Sequence, residues 1–198
     1  MKNKRLFWNI FTLCAILIFA LSFDLITKAV VFKKLPNDGD SMKVIEGFFN
    51  FVHVENGGAG YGIFNGKRIF LIVISLLVLS AYIFYYVLDV KKNKNKTSFL
   101  LSISLGFIAG GCLGNMYDRI FLVKVRDFIN LQFMTFPVFN VADICLTVGV
   151  ILALVYFIFI YPKNERRRKQ EEKDNASTPA VTITLPDDEK GDKNEGWI

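Results

Sequence analysis

The sequence predicts a mainly α-helical membrane protein with four transmembrane helices, a small extracytoplasmic β-sheet and a disordered C-terminal tail. Hydrophobic residues make up 53% of the 198 residues, and the mean hydropathy is +0.37. Four windows of 17 to 20 residues contain no charged residue, and a helix needs roughly 20 residues to cross a bilayer. From residue 163 onward the chain is polar and charged. This composition excludes a secreted disulfide scaffold, a coiled coil and a typical water-soluble enzyme.

The four windows divide the chain into a membrane domain and a tail. They are residues 7–23, 69–88, 98–117 and 144–162. The first resembles a cleavable signal peptide in its basic start, but its apolar run exceeds a usual signal sequence and no small-residue cleavage site follows. We therefore interpret it as a retained span. The domain is then 1–162, with outer loops at 24–68 and 118–139, and the tail is 163–198.

The distribution of basic residues predicts the orientation. The segments 2–5, 91–96 and 163–169 contain three, four and five basic residues, whereas the two longer outer loops together contain nine. Because positive residues favour the cytoplasmic side, we expect both termini in the cytoplasm. The net charge of +6 accompanies apolar segments. This combination favours membrane lipids, and not nucleic acid, as the partner.

The outer loops and the tail differ in character. In the first loop, the alternating pattern of 48–55 predicts a strand, and the glycines of 56–60 predict a sharp turn. The second loop is mostly apolar, so we expect it to lie in the membrane interface. In the tail, 165–174 are compatible with an extension of the last helix. The polar residues from 176 onward predict disorder.

Polar side chains gather near the outer ends of the spans, where ionisable residues are costly and therefore candidates for function. They are Asp24, Lys28, Asn115, Asp118, Arg119, Asp127, Asn140 and Asp143. Several have structural alternatives. Asp24 and Lys28 are spaced as an ion pair that anchors a helix end. Asn115 and Asn140 are suited to capping helices or joining them, and Arg119 to binding a lipid phosphate.

Asp143 is the hardest of these to explain structurally. No basic residue lies within four positions of it, so it requires a partner from elsewhere in the fold or a raised pKa. Asp127 is the nearest uncommitted carboxylate on the same side, although Lys124 and Arg126 are close enough in sequence to neutralise it. Two carboxyls brought together share one proton, so that one is the general base and the other the general acid. Such a pair can activate water against a peptide carbonyl without a metal.

Other chemistries lack the residues they need. His53 is the only histidine, which excludes a two-histidine metal site, and we expect it to be a surface residue of the predicted strand. The three cysteines lie in apolar segments and are interpreted as packing residues. Residues 110–114 (GGCLG) match no phosphate-binding loop or dinucleotide fingerprint and indicate close helix packing. We therefore expect no metal and no cofactor.

Five blocks of the sequence resemble, in order, the signature blocks of lipoprotein signal peptidase, the bacterial signal peptidase II. They are DLITK at 24–28, NGGAGYG at 56–62, GGCLGNMYDR at 110–119, VRDF at 125–128 and FNVAD at 139–143. The resemblance implies an aspartic peptidase of the bacterial cytoplasmic (inner) membrane, with four spans and an extracytoplasmic β-sheet cradle. It also implies removal of the signal peptide just before the lipid-modified cysteine of a prolipoprotein, and inhibition by globomycin-like compounds.

The resemblance assigns roles by matching positions. The catalytic pair falls on Asp127 and Asp143, at the outer leaflet, with Asp118 as the rival for the first role. The residues implied to bind substrate or support the pair are Asp24, Lys28, Asn56, Asn115, Asp118, Arg119 and Asn140. The departures from the family pattern are Glu55, Gly57 and Gly60, which stand where Arg, Thr and Ala are usual, and Arg126, which stands where a second Val is usual.

Two other functions compete with the peptidase. In a small proton-coupled transporter, Asp24, Asp127 and Asp143 would relay protons. In a non-catalytic scaffold, the same acids would be anchors. A transporter requires polar residues through the middle of the membrane, whereas here the middle of each span is apolar and the acids lie at one side. The sequence therefore favours the peptidase.

Overall fold

Four long helices and one small sheet form the structure. The computed structural model describes residues 2–60, 63–92 and 98–177. Its elements in chain order are α1 (Lys2–Lys34), β1 (Ser41–Ile45), β2 (Phe49–Asn56), α2 (Arg68–Lys92), α3 (Phe99–Phe121), β3 (Val125–Leu131), α4 (Val141–Val155), a π-helical turn (Tyr156–Ile160) and α5 (Tyr161–Ser177). The predicted fold class is confirmed by the four long apolar helices and the three-stranded antiparallel sheet.

The helices extend beyond the charge-free windows of the sequence. The segments long and apolar enough to span a membrane are Lys4–Lys34, Arg68–Lys92, Phe99–Phe121 and Val141–Asp174. Helix α1 therefore continues past residue 24, where the first outer loop was expected to begin, because the charged residues there are buried against other helices. Helix α5 includes Ala176 and Ser177, which the sequence assigns to the disordered tail. The rest of that tail, 178–198, lies outside the described residues.

Helix α3 is the centre of the bundle and contacts α1, α2 and α4. Its glycines explain the close approach. A Cβ atom at Gly110 would lie 2.6 Å from the Cβ of Ala20, and one at Gly111 would lie 2.5 Å from the carbonyl oxygen of Ala142. The GGCLG block therefore packs helices, as the sequence analysis proposes. The outward surfaces carry exposed apolar side chains such as Trp8, which suit contact with lipid.

Hydroxyl groups join the helices in the half of the bundle away from the sheet. Tyr82 and Tyr86 of α2 hydrogen-bond to Ser104 and Ser102 of α3 at 2.8 Å and 2.9 Å. The hydroxyl of Tyr156, in the π-helical turn, donates to Asp89 at 2.8 Å. Asp89 is a buried carboxylate just past the charge-free window, and no motif in the sequence pointed to it.

The sheet packs on the C-terminal part of α1 and carries site residues. Its strand order is β1-β2-β3, and both pairs are antiparallel. Strand β2 matches the predicted strand, whereas β1 and β3 were not predicted. Strand β3 lies in the segment expected to be an apolar interfacial loop. It forms a strand because its Val125 and Phe128 side chains are buried, 2% exposed each, in the fold.

His53 is not the surface residue that the sequence predicts. Only 8% of it is exposed. Its Nδ1 atom lies 2.6 Å from the carbonyl oxygen of Leu35, and its ring packs against Phe32 with the centroids 4.0 Å apart. The histidine therefore joins β2 to the end of α1. The sequence expectation was wrong because the pattern of β2 does not reveal that α1 extends far enough to cover it.

The tight connection between α3 and β3 has one unfavourable backbone conformation. Val123 adopts a φ angle of +74°, in the left-handed region that β-branched residues avoid. Its side chain is 54% exposed, so little packing offsets this cost. This short connection keeps Asp118, near the end of α3, within hydrogen-bonding distance of strand β3.

We expect Val123→Gly to raise the free energy of unfolding by about 0.5 to 1 kcal/mol, since glycine removes the left-handed strain at a smaller entropic cost. Denaturant titration of the purified protein in detergent measures this. Val123→Ala is the control, because alanine shortens the side chain and keeps the strain. An alanine variant as stable as the glycine variant would contradict the explanation.

Candidate active site

A fully buried lysine lies at the centre of the polar cluster. The side chain of Lys28 is 0% exposed. Its ammonium group contacts Asp24 Oδ2 at 2.7 Å, Asn115 Oδ1 at 3.0 Å and Asp118 Oδ2 at 3.3 Å. Of its three N–H donors, two therefore make hydrogen bonds, to Asp24 and Asn115, and the charge also pairs with Asp118. The ion pair of Asp24 and Lys28 is therefore buried within this cluster.

Asp24 connects α1 to the start of α4. Its Oδ2 atom accepts from Lys28, and its Oδ1 atom accepts the backbone N–H of Ala142 at 2.8 Å. That N–H belongs to the first turn of α4, where backbone donors have no partner within the helix. Gly114 lies so close to the Asp24 carboxylate that no side chain fits at that position. The glycine of α3 is thus required for the carboxylate to reach α4.

Asp118 is committed to two cations. Its carboxylate is 0% exposed and contacts Lys28 on one side. On the other side Arg126 donates its backbone N–H to Oδ2 at 3.0 Å and its Nη2 to Oδ1 at 2.7 Å. Lys124 instead pairs with Glu55 at 3.0 Å on the surface. Lys124 and Arg126, which lie close enough in sequence to neutralise Asp127, therefore pair with other carboxylates.

Asn140 has two functions in one side chain. As the residue before α4, it accepts the N–H of Asp143 at 3.1 Å, and the Asp143 carboxylate accepts the N–H of Asn140 at 3.1 Å, which forms a capping box. Its Nδ2 group donates to Asp127 Oδ1 at 2.6 Å and to Asn115 Oδ1 at 3.0 Å. The cap therefore fixes both Asp143 and the amide that binds Asp127.

Asn115 completes the link between the two carboxyls. Its Oδ1 atom accepts from Lys28 and Asn140, and its Nδ2 group donates to Asp143 Oδ1 at 2.8 Å. One chain of hydrogen bonds thus runs from Asp127 through Asn140 and Asn115 to Asp143. Both asparagines join helices, as one of the sequence alternatives proposes, and they also bind the candidate catalytic groups.

Asp127 lies in β3 and is 3% exposed. It pairs with Val54 across the strands, which places Asn56 one diagonal step away on the same face. Asn56 Nδ2 donates to Asp127 Oδ2 at 2.8 Å, and Asn56 Oδ1 accepts the N–H of Gly58 at 2.9 Å. Burial raises the pKa of Asp127 to about 7, and the charge of Asp143 adds to this effect, while hydrogen bonds from Asn56 and Asn140 oppose it.

Both candidate catalytic carboxyls line one cavity of about 380 Å³. Its polar lining consists of Asn56, Asn115, Arg119, Asp127 and Asp143, together with Ser75. Arg119 donates to the carbonyl oxygen of Gly58 at 3.0 Å, which joins α3 to the glycine turn. Asp118 is not among the lining residues. The cavity therefore exposes Asp127 and Asp143 to a bound molecule and leaves Asp118 behind them.

The remaining wall of the cavity is apolar and was not anticipated from the sequence. It includes Leu71 of α2, Cys112 of α3, Leu146 of α4 and the segment Phe136–Phe139. The signal that could have identified part of it is the apolar composition of 132–139 beside the FNVAD block. Among the residues described, no group of three or more His, Cys, Asp and Glu side chains is close enough to hold a metal ion.

Comparisons with known proteins decide the family. Residues 16–159 match the family Peptidase A8, described as signal peptidase (SPase) II. The chain belongs to the signal peptidase II family. Lipoprotein signal peptidases similar to it include that of Clostridium novyi, 38% identical over 146 residues that cover 72% of this chain and 95% of the relative. That of Staphylococcus aureus is 33% identical over 159 residues, which cover 79% and 91%.

Solved structures agree with this family. One bacterial membrane enzyme, determined by the in meso method at 2.3 Å, is 29% identical with a TM-score of 0.67, and the match covers 87% of this chain and 95% of that chain. Another, at 1.9 Å, is 32% identical with a TM-score of 0.67, covering 76% and 95%. A signal peptidase II with four apolar helices is a bacterial inner-membrane protein. The transporter alternative finds no support in these comparisons.

Two substitutions of Asn140 separate its roles. Asn140→Ser keeps a side-chain oxygen that caps α4 but lacks the amide that donates to Asp127, and Asn140→Ala lacks both. We expect both variants to lose peptidase activity by at least about tenfold. We expect the alanine variant to be less stable than the serine variant by about 1 kcal/mol, the usual value of a cap. Cleavage rates and denaturant titrations test this, and a serine variant with the wild-type rate would contradict it.

Proposed function

We propose that this protein removes the signal peptide from lipid-modified prolipoproteins, and that Asp127 and Asp143 are its catalytic dyad. One observation carries the assignment: the two carboxyls line the same cavity and are joined through Asn140 and Asn115. The reported relatives bear the name lipoprotein signal peptidase. Cleavage just before the lipid-modified cysteine is part of the proposal.

The charges around the cavity favour one shared proton. Four carboxyls and three cations surround the site: Asp24, Asp118, Asp127 and Asp143, with Lys28, Arg119 and Arg126. One negative charge is therefore in excess, and a single proton on the dyad balances it. The pKa of Asp127, raised to about 7 by burial, makes this carboxyl the proton carrier at neutral pH. Asp143 is less buried and is the general base.

The reaction follows from these protonation states. The oxygen of a water molecule attacks the carbonyl carbon of the scissile bond, while Asp143 takes a proton from that water and Asp127 gives its proton to the carbonyl oxygen. The tetrahedral intermediate collapses as the C–N bond breaks. The leaving nitrogen takes the proton held by Asp143, and the hydroxyl proton of the intermediate returns to Asp127. The products are a carboxylic acid and an amine, and the dyad recovers its single proton.

The neighbouring residues keep the dyad in place. Asn56 and Asn140 each donate to one oxygen of Asp127, which fixes its carboxyl plane. Arg119, bound to the glycine turn, leaves its remaining donors for the substrate backbone. The apolar wall, with Leu71 and Leu146, suits an acyl chain of the substrate. Membrane lipids and globomycin-like inhibitors are the other ligands we propose for this cavity.

Asparagine substitutions test the dyad. Each of Asp127→Asn and Asp143→Asn should abolish cleavage, because asparagine neither takes nor gives the catalytic proton, and general acid–base catalysis alone contributes about 10²–10⁴-fold. The double variant should be scarcely worse, since the residues act as a unit. The measurement is cleavage of a lipid-modified prolipoprotein by purified variants.

Stability and a matched carboxylate provide the controls for the dyad. The folded-state pKa of Asp127 lies above its ordinary 3.8, so ionisation costs stability as the pH rises from 3.8 through about 7. Asp127→Asn lacks this cost and should be at least as stable as the wild type above pH 7. Asp118→Asn should keep measurable turnover. Full activity in Asp127→Asn with none in Asp118→Asn would transfer the role to Asp118.

The pH dependence of the wild type provides a second test. Because Asp127 must carry the shared proton and its pKa is about 7, kcat/KM should fall as the pH rises above about 7. The profile of kcat/KM reports ionisations of the free enzyme, so it gives the pKa of the dyad before substrate binds. A rate that stays constant to pH 9 would contradict the assignment of the proton to Asp127.

We also propose that both termini are cytoplasmic and that the cavity opens at the outer leaflet. The charge bias of the inner segments supports this. In a background without the three native cysteines, Lys43→Cys in β1 should react with a membrane-impermeant thiol reagent in intact cells, and Lys91→Cys should not. Both lysines are exposed in the fold, so the membrane alone distinguishes them. The reverse labelling pattern would overturn the orientation.

A further inference from the structure

Arg126 stands outside the cavity but contacts the buried ion cluster behind the dyad. It is absent from the cavity lining, and its side chain is 16% exposed, against 0% for the side chain of Asp118. Three of its nitrogen atoms contact Asp118: the backbone N–H at 3.0 Å, Nε at 3.3 Å and Nη2 at 2.7 Å. Arg126 therefore makes more hydrogen bonds to one buried carboxylate than a surface residue of an edge strand requires.

The next contacts lead from Asp118 to the dyad. Asp118 shares Lys28 with Asp24 and Asn115. Asn115 in turn donates to Asp143, and it accepts from the same Asn140 amide group that donates to Asp127. A change in the position of the Lys28 ammonium group therefore acts on both carboxyls of the dyad.

The charge balance shows what Arg126 contributes. Asp24 and Asp118 carry two negative charges, and Lys28 alone would supply one positive charge. With Arg126 the cluster contains two of each sign. Without it, Asp118 would draw Lys28 towards itself, away from Asn115, and one further uncompensated negative charge would lie beside the dyad. Buried charges lacking a partner have large effects on neighbouring titrations.

We propose that Arg126 is a positioning residue, which balances Asp118 so that Lys28 remains bound to Asn115 and the proton affinity of the dyad stays in the range of the working pH. This inference rests on the proposed role of Asp127 and Asp143.

The groups that face Asp118 are Lys28 and Asp24 of α1, Arg119 of α3 and Arg126 of β3. Those that face Asp127 are Lys28, Arg119, Asp143, Asn56 and Asn140. Arg126 is the cation among them that has access to solvent without lining the cavity.

The test is the pH profile of kcat/KM for cleavage of a lipid-modified prolipoprotein. In Arg126→Met, the extra negative charge should raise the proton affinity of the dyad and move the fall of kcat/KM above about pH 7 upward by about half a pH unit or more, which is roughly a threefold gain of kcat/KM on that side of the profile. KM should change less than kcat, because Arg126 does not line the cavity. Arg126→Lys, which keeps the charge, should restore the wild-type profile.

Lys124→Met is the matched control. Lys124 lies two residues away, and its pair with Glu55 is half exposed, so solvent screens its charge. This variant should keep the wild-type profile. An unshifted Arg126→Met profile, or equal shifts in Arg126→Met and Lys124→Met, would overturn the proposal.

A double variant tests the route through Asp118. Asp118→Asn with Arg126→Met removes one charge of each sign and leaves the net charge of the wild type, so its profile should return to that of the wild type. A double variant that is still shifted upward from the wild type would show that Arg126 acts elsewhere than through Asp118, and this comparison holds even where Arg126→Met alone does not fold. The dyad is judged separately: cleavage by Asp127→Asn would refute the proposed function, whereas an inactive Asp127→Asn beside an unshifted Arg126→Met refutes only the role of Arg126.

Discussion

The buried ammonium group of Lys28 is the constraint on which the rest of the structure depends. A charge removed from water is costly unless paired and hydrogen-bonded, and Lys28 meets this requirement only where α1 and α3 bring Asp24, Asn115 and Asp118 within 2.7 to 3.3 Å. The glycines of α3 make that approach possible, since side chains there would collide with α1 and with the Asp24 carboxylate. The close approach of α1 and α3 is thus required both for helix packing and for pairing the charge of Lys28.

The candidate dyad lies on regular structure, and loops contribute only to the cavity wall. Asp143 belongs to the first turn of α4 and Asp127 to β3, an edge strand of the sheet. The groups that orient them also stabilise the fold: Asn140 caps a helix, Asn115 joins three helices and Asn56 ends a strand. Such double use makes the geometry rigid. It also means that a substitution in the network changes stability and activity together, unless one atom of the side chain is altered selectively.

Local patterns were sufficient for the architecture. The apolar windows predicted four helices, because a segment in contact with lipid is a continuous run of apolar residues. The alternation at 48–55 predicted β2, because a strand with one buried face has apolar residues at every second position. The same patterns failed where burial comes from distant elements. Strand β3 resembled an interfacial loop, and His53 resembled a surface residue, since the segments that cover them are separated in sequence from what they cover.

The sequence by itself determined which chemical groups are available: four carboxyls and three amides near the ends of the spans, one histidine, and ordered blocks similar to those of a peptidase family. Only the tertiary structure decided their partners. Asp118 and Asp127 are equally acidic in the sequence, but Asp118 is enclosed by Lys28 and Arg126, while Asp127 reaches the cavity beside Asp143. The reason is physical: residue identity fixes charge and hydrogen-bonding capacity, whereas the meeting of α1, α3 and β3 fixes which charges are neutralised and which remain free to react.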